Sequence, residues 1–186
     1  MIRILFGLAL MLGLSSAVQA IEVGDIDVGD KFSVEGHKLV LNGAGVRSKF
    51  FLDVYVAALY LPNQMTEASE IIDSDEPMAI RLFITSDMIT SKRMADSTRD
   101  GFVRSTGGNL APIETEVEEL IKAFQEEIEK GDIFDLVYEP GQGVTVYRDG
   151  KAASNVKGLE FKKALFGIWL SEDPIQKSLK KALVSN

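Results

Sequence analysis

The segment Lys49-Phe-Phe-Leu-Asp-Val-Tyr-Val-Ala-Ala-Leu-Tyr-Leu61 is the longest extended stretch of the chain. Its β-branched and aromatic residues favour a strand. Pro62 ends the segment, because proline has no N–H to donate to a neighbouring strand. Apolar residues stand at both odd and even positions, whereas a half-exposed strand alternates apolar with polar residues. The segment therefore predicts a central strand whose sheet is covered on both faces.

The regions around this segment predict more strands. A strand or a loose hairpin entry is expected over residues 32–41. Asn42-Gly43-Ala44-Gly45 is expected to turn the chain, because glycine tolerates the positive φ of tight reversals. Asp149-Gly150 has the composition of a two-residue hairpin turn. The other predicted strands are residues 78–84, 133–138, 144–148 and 151–156.

Four helices are predicted, over residues 90–104, from Thr115 onward, over residues 159–170, and after Asp173. Thr115 and Glu118 have the spacing of a capping box, an apolar stripe follows them, and Gly131 is the expected stop. Asp173 is expected to cap the last helix, with Pro174 at its first position. The order of elements predicts an α+β fold with a large, mostly antiparallel sheet and a layer of helices.

Composition excludes several classes of function. The 186 residues include 20 Lys and Arg against 28 Asp and Glu, one His and no Cys, with a formal net charge of −8. The length suits one domain. The lack of cysteine excludes disulfides, thiolate metal sites and cysteine nucleophiles, and the acidic balance argues against nucleic acid as a partner. We expect no metal and no cofactor.

The first twenty residues have the features of a secretory signal peptide. Arg3 is the only charge in the first 21 residues, residues 4–14 are almost entirely apolar, and Val18-Gln19-Ala20 has small residues where signal peptidase reads them. The apolar run is shorter than the roughly 20 residues of a membrane-spanning helix. We therefore expect cleavage after Ala20 and a domain over residues 21–186 that is periplasmic or secreted, without stable membrane insertion. A retained anchor is the alternative.

Most conspicuous residues have an ordinary structural interpretation. The acidic residues between Glu114 and Glu129 are expected to form the solvated face of a helix, and His37 is expected to be a surface histidine. Phe166, Trp169 and Leu170 are expected to belong to the core.

Arg47 and Tyr55 are the candidate binding residues. A guanidinium at the rim of an apolar pocket binds carboxylates or oxyanions through its planar set of donors, and a tyrosyl hydroxyl adds a hydrogen bond. The alternative is that Arg47 pairs with Asp53 or another acid while Tyr55 is simply buried. Eight residues of straight strand span roughly 27 Å, so both residues reach one ligand only if the chain turns or bulges near residues 48–50.

Two segments resemble the chalcone isomerase-like family, and the resemblance is greatest to its exported bacterial branch. They are Leu41-Asn-Gly-Ala-Gly-Val-Arg47, with the strand that follows it, and Phe161-Lys-Lys-Ala-Leu-Phe-Gly-Ile-Trp-Leu-Ser171. The resemblance implies an open-faced β-sandwich with a cleft between the sheet and the helices. In the plant enzymes of the family an arginine holds an oxyanion during ring closure, helped by a strand threonine and by a tyrosine and an asparagine on the next helix. In the fatty-acid-binding branch an arginine and a tyrosine hold a carboxylate.

Arg47 matches the family arginine, and Tyr55 stands in place of the threonine, as in the fatty-acid-binding pattern. Residues 86–104 contain neither tyrosine nor asparagine, and Asp96 falls near the asparagine's place. The resemblance therefore favours non-catalytic binding of a fatty acid or similar amphipathic carboxylate, with no catalytic residue. An isomerase of the chalcone isomerase type (an intramolecular lyase) is the alternative. A structural envelope module with a vestigial cleft is the third.

Overall fold

The computed structural model describes residues 20–185, so the predicted signal peptide lies outside the described residues except for Ala20. A short antiparallel hairpin comes first, formed by β1 (Ala20–Val23) and β2 (Ile26–Gly29). A seven-stranded antiparallel sheet follows, in which each strand pairs with the next one in the chain. Its strands are β3 (Lys31–Val34), β4 (His37–Lys49), β5 (Leu52–Leu61), β6 (Met78–Ile84), β7 (Ile133–Glu139), β8 (Gly143–Arg148) and β9 (Lys151–Val156).

Five α-helices among the described residues complete the fold. They are α1 (Ala68–Asp73), α2 (Ser91–Ser105), α3 (Glu114–Lys122), α4 (Leu159–Leu170) and α5 (Lys177–Val184). The predicted α+β class, with a large antiparallel sheet and a helical layer, is confirmed. None of the helices within residues 20–185 has the length and apolar character needed to cross a membrane.

Strand β5 is covered on both faces, as its apolar residues at both parities predict. Tyr55, Ala57 and Leu59 belong to the core on the helical side. Val56, Ala58 and Tyr60 belong to a second core, which includes Val28 of β2 and Phe32 of β3. The predicted strand over residues 49–61 is too long, because β5 begins at Leu52 and residues 50–51 form the turn between β4 and β5.

The predicted turn at residues 42–45 is wrong, because these residues lie inside β4. Their glycines serve close packing. A Cβ atom on Gly45 would lie 2.7 Å from the Cβ atom of Ala182 in α5, far inside contact distance. The register shifts between Leu41 and Gly43, which leaves Asn42 as the extra residue of a bulge. The glycines let α5 lie directly on the sheet, a requirement that arises only in the folded chain.

Two predicted helix starts are also wrong. A 3₁₀ turn over Ala111–Ile113 leads into α3, so the helix begins at Glu114 and Thr115 lies inside it without forming a capping bond. Helix α3 then ends at Lys122, well before Gly131. Helix α5 begins at Lys177 and not after Asp173, whose carboxylate accepts a 2.7 Å hydrogen bond from Arg104.

The three polar residues that are buried as whole residues within 20–185 are paired. Asn42 binds the carbonyls of Met65 and Leu183 at 2.9 and 2.8 Å and accepts the Met65 N–H at 2.7 Å, so it ties α5 to the loop after β5. Asp135 forms a two-bond ion pair with Arg81 across neighbouring strands, at 2.6 and 2.9 Å. Lys162 of α4 is the third such residue; its Nζ donates to backbone carbonyls at the end of α1.

Candidate functional site

Arg47 and Tyr55 lie directly opposite each other on the paired strands β4 and β5. The chain reverses at residues 50–51, and the register shifts between Arg47 and Ser48, which is the condition that the sequence required for the two residues to meet. Paired strands lie roughly 5 Å apart. The sheet therefore holds both side chains on its helical face as immediate neighbours.

The guanidinium of Arg47 contacts neutral oxygens only, among the residues that the structure describes. Its Nη1 donates to the Gln176 side-chain oxygen at 3.0 Å and to the Ser48 carbonyl. The expected alternative partner, Asp53, accepts instead a 2.7 Å bond from the Ser48 hydroxyl. No carboxylate of residues 20–185 forms an ion pair with Arg47, so its positive charge has no counter-ion among these residues.

Gln176 holds the arginine side of the site to the helical layer. Its side-chain oxygen also accepts the Ser48 N–H at 3.0 Å, and its amide nitrogen donates to the Val46 carbonyl at 3.1 Å. These bonds join the residue before α5 to the strand that carries Arg47. Sequence reasoning missed Gln176 because its partners lie about 130 residues away, and no local pattern marks it.

Tyr55 is buried, and its hydroxyl is oriented by Trp169 of α4. The Trp169 indole N–H donates to the Tyr55 oxygen at 3.1 Å. Burial raises the pKa of Tyr55 above its ordinary value of 10, and the bond from Trp169 and the charge of Arg47 offset this only in part. The phenol therefore keeps its proton at neutral pH. Because the Trp169 N–H already donates to the Tyr55 oxygen, the Tyr55 O–H remains available to donate to another acceptor.

Tyr55 also lies at the wall of an apolar cavity between the sheet and the helices. Leu82, Leu136, Phe124 and Leu165 form much of the lining. The cavity has a volume of about 30 Å³, enough for one or two water molecules. Arg47 lies beside Tyr55, outside this lining.

Helix α2 supplies the polar part of the cavity wall. Ser97 and Thr98 face the cavity beside Met94, whereas Asp96, which falls near the family asparagine's place, is exposed and pairs with Lys92 at 2.6 Å. Asp96 therefore does not reach the cavity, and sequence reasoning had not singled out Ser97 or Thr98. The two hydroxyls had no signal in the sequence, because serine and threonine are common on exposed helix faces.

Trp169 and His37 lie as expected, whereas the acidic helix face is shorter than predicted, because Glu126, Glu127 and Glu129 follow the end of α3 at Lys122. Trp169 and its neighbours are buried in the helical-side core. The His37 ring is partly exposed, with Nε2 3.3 Å from a Glu139 oxygen. The acidic residues of α3 face solvent, and two of them, Glu114 and Glu118, pair with Arg99.

Comparison with known proteins agrees with this fold. A crystal structure of a fatty-acid binding protein from Arabidopsis thaliana superimposes with a TM-score of 0.68, over 86% of this chain and 92% of that one, at 17% sequence identity. The likeness shows a shared fold. No curated protein matches the chain significantly. A family profile described as chalcone isomerase-like matches residues 20–185. The chain therefore belongs to the chalcone isomerase-like family.

Proposed function

We propose that this protein binds an amphipathic carboxylate, such as a fatty acid, without transforming it. The observation that carries the proposal is the pairing of a half-buried arginine, free of carboxylate partners among residues 20–185, with a buried, protonated tyrosine at the wall of an apolar cavity. Arg47 supplies positive charge and Tyr55 supplies an O–H donor. The ligand's carboxylate would take the place at Arg47 that the Gln176 oxygen now occupies.

The hydrocarbon part of the ligand would enter between the sheet and α2. Pockets for small molecules commonly measure about 300–1,000 Å³, so the cavity must widen for an alkyl chain to enter. Met94 of α2 lines it and has a flexible side chain that adapts to new packing. The name of the Arabidopsis protein, which shares the fold, agrees with a ligand of this class.

Trp169 provides the assay, because it is the only tryptophan and lines the cavity. We expect lauric or oleic acid to change its fluorescence with saturation. Arg47→Ala should weaken binding at least about tenfold, since a charge-assisted pair is worth roughly 1.5–3 kcal/mol. Lys49→Ala removes a cation from the exposed end of the same strand and should leave affinity unchanged. Equal affinities of wild type and Arg47→Ala would refute the anchoring role of Arg47.

The small volume of the cavity favours a second candidate, a structural module whose cleft does not open. In that case neither fatty acid would perturb Trp169, and native mass spectrometry of gently purified protein would find no bound acid. The isomerase alternative has less support, because α2 places Ser97 and Thr98 at the cavity and turns Asp96 outward. Chalcone closure above the uncatalysed rate, lost in Arg47→Ala, would establish it instead.

Export to the periplasm or the medium is part of the proposal and depends on residues 1–20. The support is the apolar run after Arg3 and the small residues that precede position 21. Amino-terminal sequencing of the protein from bacterial cells should find Ile21 as the first residue. An intact Met1 in the mature protein would refute cleavage.

A further inference from the structure

The turn between β4 and β5 exposes the most conspicuous apolar surface of the described residues. Phe50 and Phe51 are exposed by 77% and 104% relative to a reference chain, and the adjoining Leu52 by 52%. Other large apolar residues that are exposed, such as Ile21 and Val103, lie singly. A single exposed apolar residue needs no explanation, but three in succession on a protruding turn indicate a contact outside the chain.

The backbone of this turn is poorly suited to phenylalanine. Lys49 pairs with Leu52, so Phe50 and Phe51 form a two-residue hairpin loop, and their φ angles are +52° and +65°. Such loops strongly favour Asn-Gly or a similar pair, because positive φ strains a bulky side chain. Neither the packing nor the turn conformation accounts for two phenylalanines here. Both residues carry strain that another requirement must outweigh.

We propose that this tip, residues 50–52, inserts into the surface of a lipid bilayer. The tip is convex and small, with roughly 500 Å² of apolar side chain at most, which is below the roughly 800 Å² that each partner buries in a protein interface of standard size. A bilayer requires no complementary surface, only apolar side chains that reach its hydrocarbon.

The charges around the tip agree with a lipid surface. The chain is acidic overall, yet residues 37–53 hold the cations Lys38, Arg47 and Lys49 against one acidic residue, Asp53. The Nζ of Lys49 lies 5.8 Å from the centre of the Phe50 ring. A cation next to an inserted aromatic ring lies at the depth of lipid phosphates. The contact is peripheral, and it would bring the Arg47 side of the hairpin close to the membrane.

The double variant Phe50→Asn, Phe51→Gly tests the proposal without threatening the fold. It installs the pair that the turn conformation prefers, so the melting temperature should stay the same or rise. Co-sedimentation with phosphatidylcholine vesicles that contain phosphatidylglycerol should show binding of the wild type and at least about tenfold weaker binding of the double variant. Val103→Asn, which removes an isolated exposed apolar residue of α2, is the matched control and should bind like wild type.

Several outcomes would overturn the proposal. Wild type that does not bind vesicles, or a double variant that binds as tightly as wild type, would refute membrane insertion. A dimer of wild type that the double variant lacks, without vesicle binding, would assign the tip to a second copy of the chain. The test is independent of the ligand, since Arg47→Ala should still bind vesicles and the double variant should still bind oleic acid.

Discussion

Replacing Lys162 with methionine should destabilise the fold strongly, although the two side chains have similar shapes. The Lys162 side chain is fully buried, and its Nζ donates to the carbonyls of Ile71, Ile72 and Ser74 at 3.0, 2.8 and 2.6 Å. Three donors thus satisfy three carbonyls at the end of α1, which a helix leaves without internal partners. Methionine would fill the space and leave these oxygens unpaired.

The size of the effect follows from two opposing contributions. Three hydrogen bonds from a charged donor contribute about 1.5–3 kcal/mol each, and removing the ammonium also removes the penalty of several kcal/mol for burying its charge. We expect a net loss of about 2–3 kcal/mol in the free energy of unfolding. For a domain of this size, that loss lowers the melting temperature by about 4–12 °C.

Urea unfolding followed by Trp169 fluorescence measures this loss, because that single tryptophan is buried in the helical-side core. The matched control is Lys163→Met, which removes the adjacent lysine, paired with Asp73 and Glu160 in surface ion pairs of little energetic weight. It should unfold at nearly the same urea concentration as wild type. Equal midpoints for Lys162→Met and wild type would refute the argument that the lysine satisfies α1.

Three further predictions concern residues described above. Burial, together with repulsion from a neighbouring lysine, lowers the pKa of Lys162 to about 8 from 10.5. Between these two values the unfolded chain binds more protons than the folded one, so the stability of wild type relative to Lys162→Met should rise with pH. Urea titrations at about pH 7.5 and 10 would measure this rise. Gly43→Ala places a Cβ 2.7 Å from a backbone carbonyl of α5 and should cost about 1–3 kcal/mol in urea unfolding, whereas Gly29→Ala meets only an ordinary 3.5 Å contact and should be nearly neutral. Tyr55→Phe leaves the buried Trp169 N–H without its acceptor and should lower the free energy of unfolding by about 1–3 kcal/mol. A urea midpoint equal to that of wild type would contradict the packing described for Gly43→Ala, or the hydrogen bond described for Tyr55→Phe.

The strand content of the sheet was predictable because its signals are local. The apolar residues of β5 at both odd and even positions indicated that this strand is buried on two faces. Asp149-Gly150 correctly predicted the turn between β8 and β9. Residues 42–45 misled the prediction because glycine has two uses, positive φ and close approach. Only the position of α5 against Gly45 distinguishes them.

The meeting of Arg47 and Tyr55 in the candidate site was predictable, and the residues around them were not. Arg47 and Tyr55 stood out as polar groups within an apolar strand region, and a chain reversal was recognised as the condition for their meeting. Trp169 and Gln176 reach them from the carboxyl-terminal part of the chain, and such contacts depend on the packing of α4 and α5. No local pattern identified Lys162 rather than Lys163 as the buried lysine, because the rotation of α4 about its own axis decides which of the two faces the core.

The bond between Arg47 and Gln176 also has a consequence for biosynthesis. The ribosome makes the hairpin early, and Val46 and Gln176 are 130 residues apart. At about 5–20 residues per second, the hairpin waits roughly 6–26 s for Gln176 to be made. During that interval the helical face of β5 lacks α4 and α5, and its apolar residues are open to chaperones or to other nascent chains. A chain that stops short of residue 176 therefore carries Arg47 and Tyr55 but lacks the side chain that holds β4 to the helical layer.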